Sequence, residues 1–251
     1  MTQNNKVLRT PDKYFESLPL WNYEPHYFTS KLYNLEVRIA YYELGNKEAK
    51  ETLVLTHGMS AWSYLYRRMI PPLINAGYRL ILFDQVGCGR SDKPAKEKDY
   101  TYERHVGWNI DLLINFLKIK DATIVLQDWG GLIGLRVVAA HPSVFRRVII
   151  ANTMLPTCDD NFFKVSQSFY SWKTFAFRTG LKDEQWIKER GSRWPGQIMA
   201  QKAIGPSNPK MNSDEMEAYN APYPDDSFKA GARMFPELVP TPSSDPTKRP
   251  A

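Results

Sequence analysis

The sequence predicts an α/β fold with a mostly parallel sheet and helices on both faces. Three observations predict it. Short apolar, β-branched runs at 52–56, 78–84, 123–127 and 147–152 read as buried strands. Helical periodicity separates them, at 63–75, at 102–117 and from Trp129 to His141-Pro142, giving the β-α-β-α-β alternation of parallel crossovers. The 251 residues, 43% of them hydrophobic, suffice for one core with an inserted subdomain.

In chain order, residues 1–27 are polar, proline-punctuated and aromatic, and are expected to form an arm across the body. Residues 35–43 alternate with period two, as a half-exposed strand does, and Gly45-Asn46-Lys47 turns the chain. The strand at 52–56 runs into His57-Gly58-Met59-Ser60, where Gly58 is expected to let the backbone bend. The strand at 78–84 runs into Gly87-Cys88-Gly89-Arg90-Ser91-Asp92-Lys93-Pro94. A GxG after a strand is a weak dinucleotide signal, and here no third glycine opens a helix at the required distance. After Pro156 the character changes. Residues 156–222 hold many aromatics, among them Phe169, Tyr170, Trp172 and Trp194, and no convincing strand, as expected of a helical cap inserted over the carboxyl edge of the sheet. The expected division is a core at 1–155, a cap at 156–222, and a return to the core with a Pro/Ser/Thr-rich tail at 223–251.

The centre of this arrangement is Thr123-Ile124-Val125-Leu126-Gln127-Asp128-Trp129-Gly130-Gly131. A buried strand meets a glycine-opened helix there, and Asp128 occupies the sharp turn between them. This is the arrangement of a nucleophile elbow, with Leu126 at the first glycine position of G-x-S-x-G and aspartate in place of serine. A carboxylate titrating near ~4 needs no base before it attacks, and the helix N-terminus favours its ionised form. It attacks amides poorly but suits displacement of a leaving group from saturated carbon, which gives an alkyl ester. The indole N–H of Trp129 is a donor only, able to hold a departing halide. In isolation the pentapeptide reads better as a helix N-cap beside a core tryptophan. The rest of the chain favours the nucleophile.

Composition narrows the alternatives. The net charge of +6 and isoelectric point near 9.1 come from scattered Lys and Arg in nothing longer than doublets, without an aromatic-interleaved basic stripe, so a nucleic-acid partner is not expected. Cys88 and Cys158 form no CxxC, which gives a metal site or disulfide framework no support and makes a reducing compartment the default. No apolar run reaches membrane length, and the amino terminus has no signal-like apolar core. A cytoplasmic protein with no membrane partner and no cofactor is expected.

With these pieces in place, the chain resembles the haloalkane dehalogenases (subfamily I) of the α/β-hydrolase superfamily. The likeness is carried by His57-Gly58 with Trp62-Ser63-Tyr64-Leu65-Tyr66-Arg67, by Gly87-x-Gly89-x-Ser91-Asp92-Lys93-Pro94, by Asp99-Tyr100-Thr101, by Gln127-Asp128-Trp129-Gly130-Gly131 and by Tyr219-Asn220-Ala221-Pro222-Tyr223-Pro224-Asp225. It implies an α/β-hydrolase core with an inserted helical cap, acting on a small halogenated alkane and water and releasing halide ion. It implies Asp128 as nucleophile and Trp129 as a halide ligand, with Trp172 as the second through the similarity of Ser168-Phe169-Tyr170-Ser171-Trp172-Lys173 to the family's first cap helix. The backbone N–H groups of Met59 and Trp129 are expected to form the oxyanion hole.

Two departures bear on turnover. Met59-Ser60-Ala61 stands where the family usually has Glu or Asn followed by Pro. The family's relay acid and catalytic histidine lie on loops expected beyond Ala251, with at least one strand-helix-strand unit of ~30 residues, so the chain reads as C-terminally truncated. The four histidines, His26, His57, His105 and His141, are all upstream and are expected to serve the oxyanion turn, a helix end or packing. Two other readings compete. An epoxide hydrolase shares the aspartate and would use Tyr170 and Tyr219 to protonate the opening ring. A non-catalytic protein could bind small apolar ligands under the cap.

Overall fold

Strand formation follows the apolar runs closely. The computed structural model describes residues 6–154 and 211–239. In chain order these hold β1 (Val7–Leu8), β2 (His26–Ser30), β3 (Val37–Leu44), β4 (Thr52–Thr56), α1 (Ile70–Asn75), β5 (Arg79–Phe83), β6 (Lys93–Pro94), α2 (Tyr102–Ile110), β7 (Ala122–Gln127), α3 (Trp129–Ala140), β8 (Phe145–Ala151), α4 (Ser213–Asn220) and α5 (Ala230–Leu238). The main sheet has the order β2-β3-β5-β4-β7-β8. β5, β4, β7 and β8 are parallel, and β2 and β3 extend the sheet antiparallel at one end. β1 and β6 form a separate two-stranded ribbon.

Side-chain alternation divides the core between the two faces of this sheet. Val54, Ile81, Phe83, Ile124 and Leu126 point to one face and pack with Trp108, Leu112 and Leu113 of the α2 segment and Val137 of α3. Leu53, Leu55, Leu80 and Leu82 point to the other, against Trp21, Trp62, Tyr64 and Ile70. Each such fully buried side chain contributes about 1.5–3 kcal/mol relative to exposure. Gly134 lets α3 lie close to β7, since a Cβ there would strike Leu126.

Two elements differ from the sequence expectation. The helix expected over 63–75 is broken into a 3-10 turn at Ser63–Tyr66 and the short α1. Pro71 and Pro72 lack N–H donors and are tolerated only in a first turn, so the helix restarts there. The amino-terminal arm also contains strand structure. β2 pairs with β3 from His26↔Tyr41 to Ser30↔Val37, and Phe28 stacks on Phe116 at 4.5 Å. That short strand follows Pro25 and carries no clean alternation.

The helix expected over 102–117 is present as α2, N-capped by Thr101 Oγ1, with a π-helical continuation at Asp111–Phe116. Among the described residues β8 is an edge strand, and its Val148, Ile149 and Ile150 are 37%, 49% and 59% exposed. Most of the expected cap lies outside the described residues. Within 211–239, α4 opens on a capping box between Asn212 and Glu215.

Candidate active site

β7 ends at Gln127, and Asp128 turns the chain into α3 with φ 52° and ψ −126°. A non-glycine residue in that region carries strain of order 1–3 kcal/mol. Backbone bonds hold it there. The Asp128 N–H donates to Asn152 O at 3.1 Å, and its carbonyl accepts from Gly131 N–H at 2.9 Å and Thr153 Oγ1 at 2.6 Å. The carboxylate does not cap its own helix. Oδ1 instead accepts the backbone N–H of Met59, at 2.7 Å, from the turn after β4. Strain, strand end and helix start together raise Asp128 at the carboxyl edge of the sheet.

Gly58 is needed for space rather than for bending. It is not among the positive-φ residues, whereas Ser60, two residues on, has φ 62°. A Cβ at 58 would collide with Oδ1, Cβ and Cγ of Asp128. Gly130 is similarly close to Thr56 and His57, and Gly131 to Thr153. Met59 and Trp129 are buried together with Tyr102, Leu132, Ile133 and Phe235. The Trp129 ring meets Tyr102 edge-on at 5.5 Å and Phe235 at 5.2 Å.

Of the four histidines, His57 and His105 are fully buried and His26 and His141 are not. His57 is fully buried, with Nε2 accepting Gln85 N–H at 2.9 Å and Nδ1 3.0 Å from Gly58 O. Burial lowers its pKa against the opposing charges of Asp84 and Asp128. His105 is fully buried against Phe235, Tyr100 and Trp108, and burial, with a smaller push from His57, pulls it down to about 3. His26 of β2 lies tilted against Tyr41 of β3, and His141 caps the far end of α3, roughly 18 Å of helix from the elbow. Among the described residues no His, Cys, Asp and Glu cluster could hold a metal ion.

A family profile described as the alpha/beta hydrolase fold matches residues 51–179. Haloalkane dehalogenases from Psychrobacter cryohalolentis and Mycolicibacterium paratuberculosis are 42% and 38% identical over 242 residues, 96% of this chain and 73% of each relative. The chain belongs to the haloalkane dehalogenase family. Among solved structures, the tetrameric haloalkane dehalogenase DpaA from Paraglaciecola agarilytica matches with TM-score 0.79 at 31% identity, covering 94% of this chain and 72% of that one. A Vigna radiata epoxide hydrolase, at 20% identity and TM-score 0.62, shares the fold.

Within this dehalogenase-family hydrolase, several expected site residues lie outside the described residues: Trp172, Tyr170 and Trp194. Tyr219 is described. It is 1% exposed in the core cluster of the opposite sheet face from α2, edge-on to Tyr64, and its hydroxyl accepts from Arg67 Nη1 at 3.2 Å. Arg67 also grips Glu215 at 2.9 Å, tying α4 to the turn before α1. The sequence reading missed Asn152, Thr153 and Gln85 as backbone supports of the elbow and turn. One local signal existed, since Asn152 is a residue type that tolerates its φ of 44°.

The Gly87–Pro94 loop, part of the family likeness, is built around buried Asp84. Its Oδ1 accepts Ser63 N–H at 2.8 Å and Ser63 Oγ at 2.6 Å, and Oδ2 accepts Arg90 N–H at 2.8 Å. Cys88 lies buried there as a free thiol, raised to about 12 by burial. Its chemistry is therefore that of a small core residue.

Proposed function

We propose that Asp128 is the nucleophile of a dehalogenase reaction on a small halogenated alkane. A carboxylate oxygen attacks the halogen-bearing carbon, the carbon–halogen bond breaks, and halide leaves with the bonding electron pair, giving an alkyl ester on Asp128. The single observation that carries this reading is the strained Asp128 backbone with its Oδ1 held at 2.7 Å by Met59 N–H. That contact fixes the orientation of the carboxylate at the elbow. The N–H groups of Met59 and Trp129 serve as the oxyanion hole when the ester is later attacked by water. The Trp129 and Trp172 indoles hold the halide beneath a cap formed by 156–222. The reading includes water as co-substrate and a cytoplasmic location. No helix of the described residues is long and apolar enough to cross a membrane.

Ester hydrolysis draws on a general base worth roughly 10²–10⁴-fold. His57 has both ring nitrogens engaged, and the other histidines are buried or distant. The 251-residue polypeptide is therefore expected to alkylate once and stop. Mixing it with 1,2-dibromoethane should release at most one bromide per chain and leave one adduct, mapped to the peptide containing Asp128. Asp128→Asn should gain none. An adduct on the amide variant would eliminate Asp128 as nucleophile, and steady multiple turnover by the mass-verified chain would mean that another group acts as base.

A further inference from the structure

The peptide unit that faces Asp128 is held from behind by an imidazole. Met59 N–H and Gly58 C=O belong to one planar peptide. Its N–H end donates to Asp128 Oδ1 at 2.7 Å, and its C=O end lies 3.0 Å from His57 Nδ1. The tautomer of His57 follows from its other nitrogen. Gln85 N–H is a backbone donor and points at Nε2 from 2.9 Å, so Nε2 must be the acceptor and Nδ1 must carry the proton. Nδ1–H therefore donates to Gly58 O, which also accepts Ala61 N–H at 3.2 Å. Burial lowers the His57 pKa, which favours the neutral ring that this pairing requires.

We propose that His57 is a positioning residue for Asp128, fixing and polarising the Gly58–Met59 peptide so that its N–H is aimed at the carboxylate. Withdrawing electron density at the carbonyl strengthens the donor at the other end of the same peptide, the cooperativity expected of linked hydrogen bonds in a dry site. It also restrains rotation of the peptide plane in a turn that no proline stiffens, since Ser60 and Ala61 follow Met59. The ring is itself anchored. Gln85 and Asn109 exchange side-chain amide bonds at 2.8 and 3.2 Å, and Asn109 Nδ2 also donates to His105 O at 2.8 Å. A line of contacts thus runs from α2 through the β5 loop and the His57 ring to the elbow.

The inference rests on Asp128 as nucleophile, and the test separates the two. An Asn at position 57 can place its amide nitrogen where Nδ1 lies and keep the bond to Gly58 O. A Gln reaches instead to the Nε2 position and keeps only the bond from Gln85. His57→Asn and His57→Gln each forfeit one buried hydrogen bond, so a merely structural role would affect them alike. With 1,2-dibromoethane under single-turnover conditions, followed by intact mass, His57→Gln should lower the limiting alkylation rate about tenfold, less than the 10²–10³ of losing a donor outright. The concentration giving half-maximal rate should not move, and His57→Asn should stay within about twofold of wild type. The amide proton of Met59 should also shift upfield in His57→Gln and not in His57→Asn. Equal rates in all three proteins, or equal losses in both variants, would overturn the proposal. If wild type forms no adduct, the nucleophile assignment falls, and the Met59 amide shift alone decides whether His57 polarises the peptide.

Discussion

Gly58 packs so closely on Asp128 that a single methyl at position 58 would overlap the carboxylate Oδ1, Cγ and the Asp128 Cβ. The turn after β4 and the turn after β7 therefore fit together only when one of them has no side chain. Parallel pairing of Leu53 to Thr56 with Thr123 to Leu126 brings the two turns to the same edge. Gly58→Ala should displace the Asp128 carboxylate while leaving the sheet intact. A misplacement near 1 Å costs about 10²-fold in rate. Single-turnover alkylation should fall by that factor with an unchanged far-ultraviolet spectrum; a wild-type rate would mean that the contact with Met59 is not needed.

Halide binding tests the tryptophans. Trp129 is 3% exposed and packs on Tyr102 and Phe235, so its ring is fixed before any ligand arrives. Bromide should quench tryptophan fluorescence saturably in wild type. Trp172→Phe should weaken the halide Kd about tenfold, the value of one charge-assisted hydrogen bond of about 1.5 kcal/mol. An unchanged titration would move the second ligand elsewhere, with Trp194 the next candidate.

The Arg67–Glu215 pair should control how firmly α4 is held. Arg67 and Glu215 side chains are 8% and 4% exposed; Arg67 Nε and Nη2 both donate to Glu215 Oε1, and Arg68 adds a third bond to the same oxygen. Glu215→Gln leaves Arg67 buried without a counter-charge, which costs about 3–5 kcal/mol; urea unfolding should show it as a lower midpoint. Burial pushes the Glu215 carboxyl up, but bonds from Arg67 and Arg68, the charge of Arg67 and the Asn212 N–H outweigh it and hold the pKa below its ordinary value. The pair's contribution is therefore complete above the unfolded carboxylate value of about 4.3 and is lost as pH falls through the lower folded value. The gap between wild type and Glu215→Gln should close in acid. A gap independent of pH would assign the effect to packing.

The β8 edge should govern solubility. Ile149 and Ile150 are half-exposed on a strand whose outer backbone has no partner strand among the described residues. Such an edge templates association with other chains, and a lysine blunts it. Ile149→Lys should raise the concentration at which light scattering appears while changing unfolding stability by no more than about 0.5 kcal/mol. If scattering is unchanged, β8 is not the surface through which chains associate.

Sequence alone determined the strands at 52–56 and 123–127, the turn at Asp128 and the helix that follows, because each is written in contiguous residues: apolar runs, then a glycine-opened helix. Motif spacing likewise carried the family. It could not supply β2, whose five residues become a strand only by pairing with β3, whereas the break before α1 is written locally in Pro71 and Pro72. What only the tertiary structure decided are the contacts that close over long separations. Met59 reaches Asp128 across 69 residues, Gln85 reaches His57 across 28, and Arg67 reaches Glu215 across 148. No local pattern encodes such pairs, since each depends on where the sheet's parallel register and helix packing bring two turns together. The same register turned Gly58 from an expected bend into a clearance for the carboxylate, and gave His57 a neutral tautomer fixed by a backbone donor from another strand's end.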